Sequence, residues 1–270
     1  MKVAYLIRIK DEEKLIYYNL TYYYNIGLRG FFVCLNNSNK ETIELVNKFV
    51  SEHSDIEYFE YIDDHEDFNQ VEMFNKMSND AFSKGYKWQV PADADEILHI
   101  LGNKTLKEII SEYDNQEYGY INLRWIDFHP SDKDNKEDQN YFTKWKHRNK
   151  NPRQPSKIIY KWSMGCKHGQ GHHLLIAKRN LLCEMNPDVM FQAHFVDREH
   201  NQIKKKRIRI GEAFILKYGE DSEKLQIKEY RRWEKEGDSY FDKVWEDLCE
   251  KRKKNFENYI YDPINPELFQ

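Results

Sequence analysis

The chain has 270 residues, 40% apolar and 15% aromatic, enough to bury a full core in one large domain or in a domain with a substantial appendage. Charged residues make up 33%, yet the signs nearly cancel at a formal net charge of −4, so no global nucleic-acid or membrane field is expected. No apolar run approaches the roughly 18 residues of a membrane span, and the uncharged stretch between Lys2 and Arg8 is too short for a secretory h-region.

Cys34, Cys166, Cys183 and Cys249 show no C-x-x-C spacing, which predicts reduced, buried thiols in a cytosolic protein rather than a disulfide framework. Val3 to Ile9 reads as a short buried strand. Asp11-Glu12-Glu13 then opens a helix through about Tyr24, with acids at its positive end. Phe31 to Leu35 is a second buried strand, closed by the turn residues Asn36-Asn37-Ser38-Asn39. The spacing of Ile43, Val46, Phe49 and Val50 predicts a helix from Glu41 to His53. Ile56 to Ile62 is a third strand, Val71 to Lys84 an amphipathic helix, and Tyr86 to Val90 a fourth strand that ends at a cluster of carboxylates.

Three strand–helix alternations before residue 95 predict an α/β domain with a mostly parallel central sheet flanked by helices. Ligands of such sheets bind at the carboxyl ends of the strands, where both Asn36-Asn37 and Asp93/Asp95 stand. Farther on, Leu106–Glu112 reads as a helix and Tyr118–Trp125 as a strand. Ser131–Gln139 reads as a surface loop, and Ile158–Trp162 and Leu174–Ala177 as strands around a Gly/His-rich turn. From about Asn201 to Tyr261 long charged helices follow without a Pro/Gly/Ser linker, so this tail is expected to pack on the core.

The densest chemistry lies in Pro91-Ala92-Asp93-Ala94-Asp95-Glu96. In an extended segment, the i, i+2 spacing of Asp93 and Asp95 puts both carboxylates on one side. Two hard oxygen donors of that kind suit Mg²⁺ or Mn²⁺ and leave positions open for phosphate oxygens. Nineteen Tyr and six Trp supply stacking surfaces of the sort that sugars and nucleobases use.

The segments LIRIKDEE, LNNSNKET and FNQVEMFNKMSNDAFSKGYKWQVPADADEIL, in that order, resemble a GT-A glycosyltransferase of the family 2 type, in the branch whose strand ends in D-A-D-E. PSKIIYKWSMGCKHGQGHH is similar to that branch's P-K segment and G-x-H turn. AHFVDREHNQIKKKRIRIGEAF resembles its H-F-x-x-R block, which continues to a Gln and a Lys. The resemblance spans about residues 2 to 215. It implies a GT-A catalytic domain over 1–200, with a nucleotide half of about 1–98 and an acceptor half of about 99–200, followed by a helical C-terminal extension over 201–270. It also implies an enzyme that moves a sugar from a nucleotide-sugar donor to a hydroxyl of a glycan, lipid-linked glycan or glycoprotein, assisted by Mn²⁺ or Mg²⁺ and inverting the anomeric centre.

By position, Asp95 matches the family's metal ligand, and Asp93 the residue that contacts the ribose or the metal through water. Glu96 stands either behind them or as an acid at a helix start. A further ligand is expected from His194, with His172 next. Arg198 falls where it would hold the diphosphate or support the metal ligand, Lys204 follows it toward the diphosphate, and the rest of the run to Arg209 reads as a solvated helix face or an anion patch. Arg8, Asn36, Asn37, Asp63 and Asp64 match positions that line the nucleotide pocket. The family's usual E-D pair for the general base is not visible, which leaves Asp127, Asp197 and Glu199 as candidates.

Two other classes compete: a metal-dependent phosphohydrolase or nucleotidyltransferase, and a non-enzymatic carbohydrate-binding module. A zinc site at His168 with His172 or His173 is a further option, disfavoured because Gly169 and Gly171 oppose the helix it would need. The basic run lacks interleaved aromatics, so no nucleic-acid partner is expected. The location expected is the cytoplasm, with peripheral contact at the inner membrane face.

Overall fold

The computed structural model describes residues 1–64, 70–114, 119–130, 138–163, 165–169, 173–176, 182–195, 200–255 and 259–270. The sheet grows from a parallel unit. β1 (Val3–Ile9) pairs in parallel with β2 (Gly30–Asn36) and β4 (Trp88–Pro91), and β2 pairs in parallel with β3 (Glu57–Asp63). The crossovers are α1 (Ile16–Asn25), α2 (Lys40–Glu52) and α3 (Gln70–Ser83).

The period-2 alternation of β1 and β2 explains why helices cover both faces. Tyr5, Ile7 and Ile9 join Phe31, Val33 and Leu35 in one core layer with Ile16, Leu20, Val46 and Phe49. Ala4, Leu6, Phe32 and Cys34 face the other way, onto Phe74, Met77 and Ala81 of α3. Gly30 opens β2 because the Tyr86 ring leaves no room for a side chain, a Cβ there falling 2.3 Å from it.

Beyond β4 the sheet continues antiparallel through β8 (Arg153–Lys161) to β6 (Tyr120–His129), then to β7 (His147–Asn149) and β13 (Tyr259–Tyr261). β5 (Glu96–Ile100), β11 (Leu182–Glu184) and β12 (Met190–His194) complete the eleven strands found among the described residues. β12 runs antiparallel to β5 and parallel to β6, so its last residue, His194, stands opposite both Glu96 and Asp127. β9 (Lys167–His168) and β10 (Leu175–Ile176) form a separate ribbon. α4 (Leu106–Asp114) and the short α5 (Tyr141–Lys144) flank the sheet, and α6 (His200–Tyr218), α7 (Leu225–Glu236) and α8 (Asp238–Asn255) form the helical tail. No helix of the described residues is long and apolar enough to cross a membrane.

Three expectations are corrected. The first helix starts at Ile16, not at Asp11. Asp11 has a left-handed backbone (φ 52°), and its carboxylate accepts from the Asn39 N–H at 2.8 Å, while Glu13 accepts from Asn39 Nδ2 at 3.0 Å. These acids dock on the N-terminus of the neighbouring α2, whose cap is Asn39, instead of opening a helix of their own. The tail does not stay helical to Tyr261, because the β-prone Tyr259-Ile260-Tyr261 returns to the sheet edge as β13. There Asp262 accepts from Arg148 Nε at 2.6 Å and lies 3.2 Å from His99 Nε2. The four cysteines are free, but only Cys34 and Cys166 are buried.

The Gly/His-rich region is tied down through His168, whose Nε2 lies 2.8 Å from both Ser78 Oγ and Tyr160 Oη. That nitrogen is committed to hydroxyls, and no group of three metal-ligating side chains occurs among the described residues. Burial pushes the His168 imidazole down to a pKa of about 3. The unfolded chain therefore takes up a proton near pH 6.5 that the native state refuses until about pH 3, so this contribution is complete above pH 6.5 and falls away as the pH drops toward 3. Chemical denaturation is expected to show about 2 kcal/mol of stability lost between pH 7 and pH 5 through this group alone. A His168→Gln variant should lack that share of the acid slope; an unchanged slope would contradict the assignment.

Candidate functional site

Pro91 ends the β1–β4 ladder, opposite Leu6. The chain then folds into a turn closed by the Glu96 N–H donating to the Asp93 carbonyl at 3.0 Å. Two neighbours pin this turn. Asn19 Nδ2 donates to the carbonyls of Ala94 (3.2 Å) and Glu96 (2.9 Å), and the Phe195 N–H donates to the Asp95 carbonyl at 2.8 Å. Asp93 and Asp95 are thus on a turn and not on an extended strand, and they are not equivalent. Asp93 keeps 41% of its side chain exposed, whereas Asp95 keeps 3%.

Glu96 is sealed from solvent beneath them. Its Oε1 sits 2.9 Å from Lys157 Nζ, which also reaches Asp93 Oδ2 at 3.3 Å, and its Oε2 accepts from the Asp93 N–H at 3.2 Å. Burial raises the Glu96 carboxyl pKa, opposed by the Lys157 ammonium. Burial alone would lower the pKa of Lys157, but Glu96 and Asp93 outweigh it and hold the ammonium charged. Glu96 is thus the buried partner of Lys157 under the turn, and it opens a strand rather than a helix.

His194 arrives from β12. Its Nδ1 lies 2.7 Å from Asp127 Oδ1 and its Nε2 4.0 Å from Asp95 Oδ2. In the tautomer that donates Nδ1–H to Asp127, Nε2 presents its lone pair on the Asp95 side. The ring packs on Trp125 at 4.6 Å, and Arg153 and Lys157 lie over that indole at 4.6 and 4.8 Å.

α6 closes the other wall. Lys206 Nζ sits 2.9 Å from Asp95 Oδ2, and Arg209 NH1 donates to the Lys10 carbonyl at 2.7 Å. Arg8 is fixed by Asp63, with Nε 2.8 Å from Oδ2, while Asn36 Nδ2 donates to the Asp63 carbonyl at 2.8 Å. The resulting cleft, about 290 Å³, carries both signs of charge, with Arg8, Lys206 and Arg209 alongside Asp93, Asp95, Glu12 and Glu212, and has Ala213 and Leu216 as an apolar side.

Of the residues expected at the site, Arg8, Asn36, Asp93 and Asp95 line this cleft, Asp63 braces it, and His194 and Asp127 stand beside Asp95. Asn37 and Asp64 meet in an exposed turn, where Asn37 Nδ2 donates to the Asp64 carbonyl at 3.1 Å. Lys204 is drawn to α8 and pairs with Asp238 at 2.6 Å. His172, Asp197, Arg198 and Glu199 lie outside the described residues. Lys157, Lys206, Arg209 and Asn19 were given no individual role by the sequence. Lys157 and Lys206 are the lysines of the P-K segment and of the end of the H-F-x-x-R block, so the signal was present without a partner to interpret it.

The donor set suits a divalent cation. Asp95 offers an oxygen and His194 a nitrogen toward one space, and the Asp127 carboxylate on the far nitrogen is the outer support that metal-bound histidines take. Asp93, on the same turn, is held by Lys157 at 3.3 Å, and the described residues bring no third metal-ligating side chain to this pair.

No family model matches this chain, and no curated protein sequence matches it. Among solved structures, the mannosyltransferase PcManGT from Pyrobaculum calidifontis, in complex with GDP-Man and Mn²⁺, aligns over 86% of this chain and 68% of its own, with 12% identity and a TM-score of 0.49. At that level of likeness the neighbour's ligands say nothing about this chain.

Removing Lys157 would strand Glu96 as a buried, unpaired carboxylate. Lys157→Met is expected to lower unfolding free energy by about 3–5 kcal/mol, and the double variant with Glu96→Gln to regain most of it. Urea denaturation of the single and double variants measures this. A single variant within about 1 kcal/mol of wild type would show that the pair does not anchor the turn.

Proposed function

We propose that the chain is a GT-A glycosyltransferase that moves a sugar from a nucleotide-diphosphate sugar to a hydroxyl of a glycan, lipid-linked glycan or glycoprotein, with inversion. The observation that carries this reading is Asp95, which lines a cleft shared with Arg8, Lys206 and Arg209 and has His194, backed by Asp127, directly beside it. Carboxylates alone would equally suit a surface turn. A carboxylate with an imidazole beside it, at a cleft that also holds guanidinium and ammonium groups, suits a diphosphate held through a cation.

Asp95 Oδ2 and His194 Nε2 would hold Mn²⁺ or Mg²⁺, with Asp93 nearby, and the resemblance adds His172. When bound, such an ion neutralises charge that gathers on the two phosphates as the glycosidic bond breaks. The remaining work falls to the chain's own groups. Arg8, braced by Asp63, and Asn36 form the nucleotide end of the cleft. Lys206 and Arg209 contribute positive charge along the diphosphate, with Arg198 added by the resemblance. Asp127 orients His194: its Oδ1 is already engaged by the ring and faced by Arg153 at 3.6 Å, which suits a positioning residue better than a free base. The catalytic unit then extends past residue 200, because α6 of the extension supplies Lys206 and Arg209.

The test is a thermal-shift panel of UDP, GDP, dTDP and CMP, each with and without Mn²⁺. One nucleotide is expected to raise Tm only with the metal, by an amount equivalent to about 2.7 kcal/mol at a hundredfold excess over Kd. Asp95→Asn should abolish that rise and lower transfer at least about 100-fold while leaving the metal-free Tm near wild type. No metal-dependent rise with any nucleotide would reject the reading.

A further inference from the structure

Lys206 holds the oxygen that the proposed metal site needs. Asp95 is 3% exposed, and a carboxylate so deeply buried is costly without a compensating cation. Lys206 Nζ provides that cation at 2.9 Å from Oδ2, and Oδ2 is the same atom that lies 4.0 Å from His194 Nε2. Asp95 Oδ2 and His194 Nε2 are the two donors that would hold a dication there. That ion would then press against an ammonium bound to the same oxygen.

The neighbouring side chains of α6 are committed elsewhere. Lys204 pairs with Asp238 at 2.6 Å, Arg207 with Glu229 at 2.8 Å, and Arg209 donates to the Lys10 carbonyl at 2.7 Å. Gly211 brings α6 so close to α7 that a Cβ there would fall 2.4 Å from Tyr230. The helix is thus held from several sides. Lys206 differs: its flexible four-carbon stem is 31% exposed, and it stands on the cleft wall with Arg8 and Arg209. Its side chain can leave Asp95 without moving the helix, and the space it enters is the cleft.

We propose that Lys206 and the divalent cation are alternative partners of Asp95 Oδ2, so that Lys206 is a displaceable counter-ion which yields to the metal and then turns to the donor's diphosphate. This inference rests on the glycosyltransferase reading. The latch keeps the buried Asp95 neutralised while the site is empty, and it weakens metal binding in the absence of donor. Because the freed ammonium then stands in the cleft with Arg8 and Arg209, where a diphosphate would pair with it, metal and donor bind with positive coupling.

The experiment is a Mn²⁺ titration followed by the EPR signal of the free aqueous ion, on the full chain without nucleotide. Lys206→Met should bind Mn²⁺ about tenfold more tightly than wild type, because the competing ammonium is gone. Lys206→Arg, which keeps a cation facing Asp95, should bind no more tightly than wild type. It also keeps the test decisive if the Met variant is poorly folded. Lys205→Met removes the same charge one position away and should change Kd by less than about twofold. Equal Mn²⁺ affinity in wild type and Lys206→Met would overturn the latch and leave the metal site standing. Equal tightening by Lys205→Met would overturn it in favour of a general charge effect. Absence of Mn²⁺ binding in every variant would overturn the metal assignment and this inference with it, while the nucleotide-induced Tm shifts would still report on donor binding.

Discussion

A carboxylate with no access to water sets the geometry of this site. Glu96 lies beneath the turn that follows β4, and the buried Lys157 from β8 binds it at 2.9 Å while reaching Asp93 at 3.3 Å. This pair has no need of a ligand to form. It joins β4, β5 and β8 at one point, so the acidic turn is held from below by charge and from the sides by Asn19 and Phe195. The stiffness lets two carboxylates of one short motif take different tasks. Asp95 is turned into the protein toward His194 and Lys206, and Asp93 is left at the mouth of the cleft.

Charge alternates outward from that anchor: Glu96 against Lys157, Lys157 against Asp93, Asp95 against Lys206, and Asp127 against His194 and Arg153. Each charged group around the turn is close to an opposite one, which is how such a cluster stays folded in a nearly dry setting. α6 is part of this arrangement through Lys206 and Arg209, so the helical tail serves as a wall of the cleft.

The alternation of strands and helices up to residue 95 was legible because β1 and β2 are buried on both faces and α2 and α3 carry amphipathic spacing. The position of the acidic turn at a strand end followed from the same pattern. The pairing of β12 with both β5 and β6 was not legible, since it depends on contacts between segments 67 to 98 residues apart in the chain, and it alone brings His194 opposite Glu96 and Asp127. Lys206 meets Asp95 across 111 positions for a similar reason. Local rules failed where a distant partner offered more. Asp11 and Glu13 serve the N-terminus of α2 instead of opening α1, and Tyr259-Ile260-Tyr261 leaves the helical tail for a sheet edge.

The central claim is that Asp95 and His194 hold a cation that in turn holds a diphosphate. Pulsed EPR of Mn²⁺ bound to the protein, with the nucleoside diphosphate that most stabilises it, reads both contacts at once. Modulation from a directly bonded ¹⁴N together with ³¹P coupling is predicted, and the ¹⁴N signal should vanish in His194→Gln. Bound Mn²⁺ lacking either the ¹⁴N or the ³¹P coupling would contradict it.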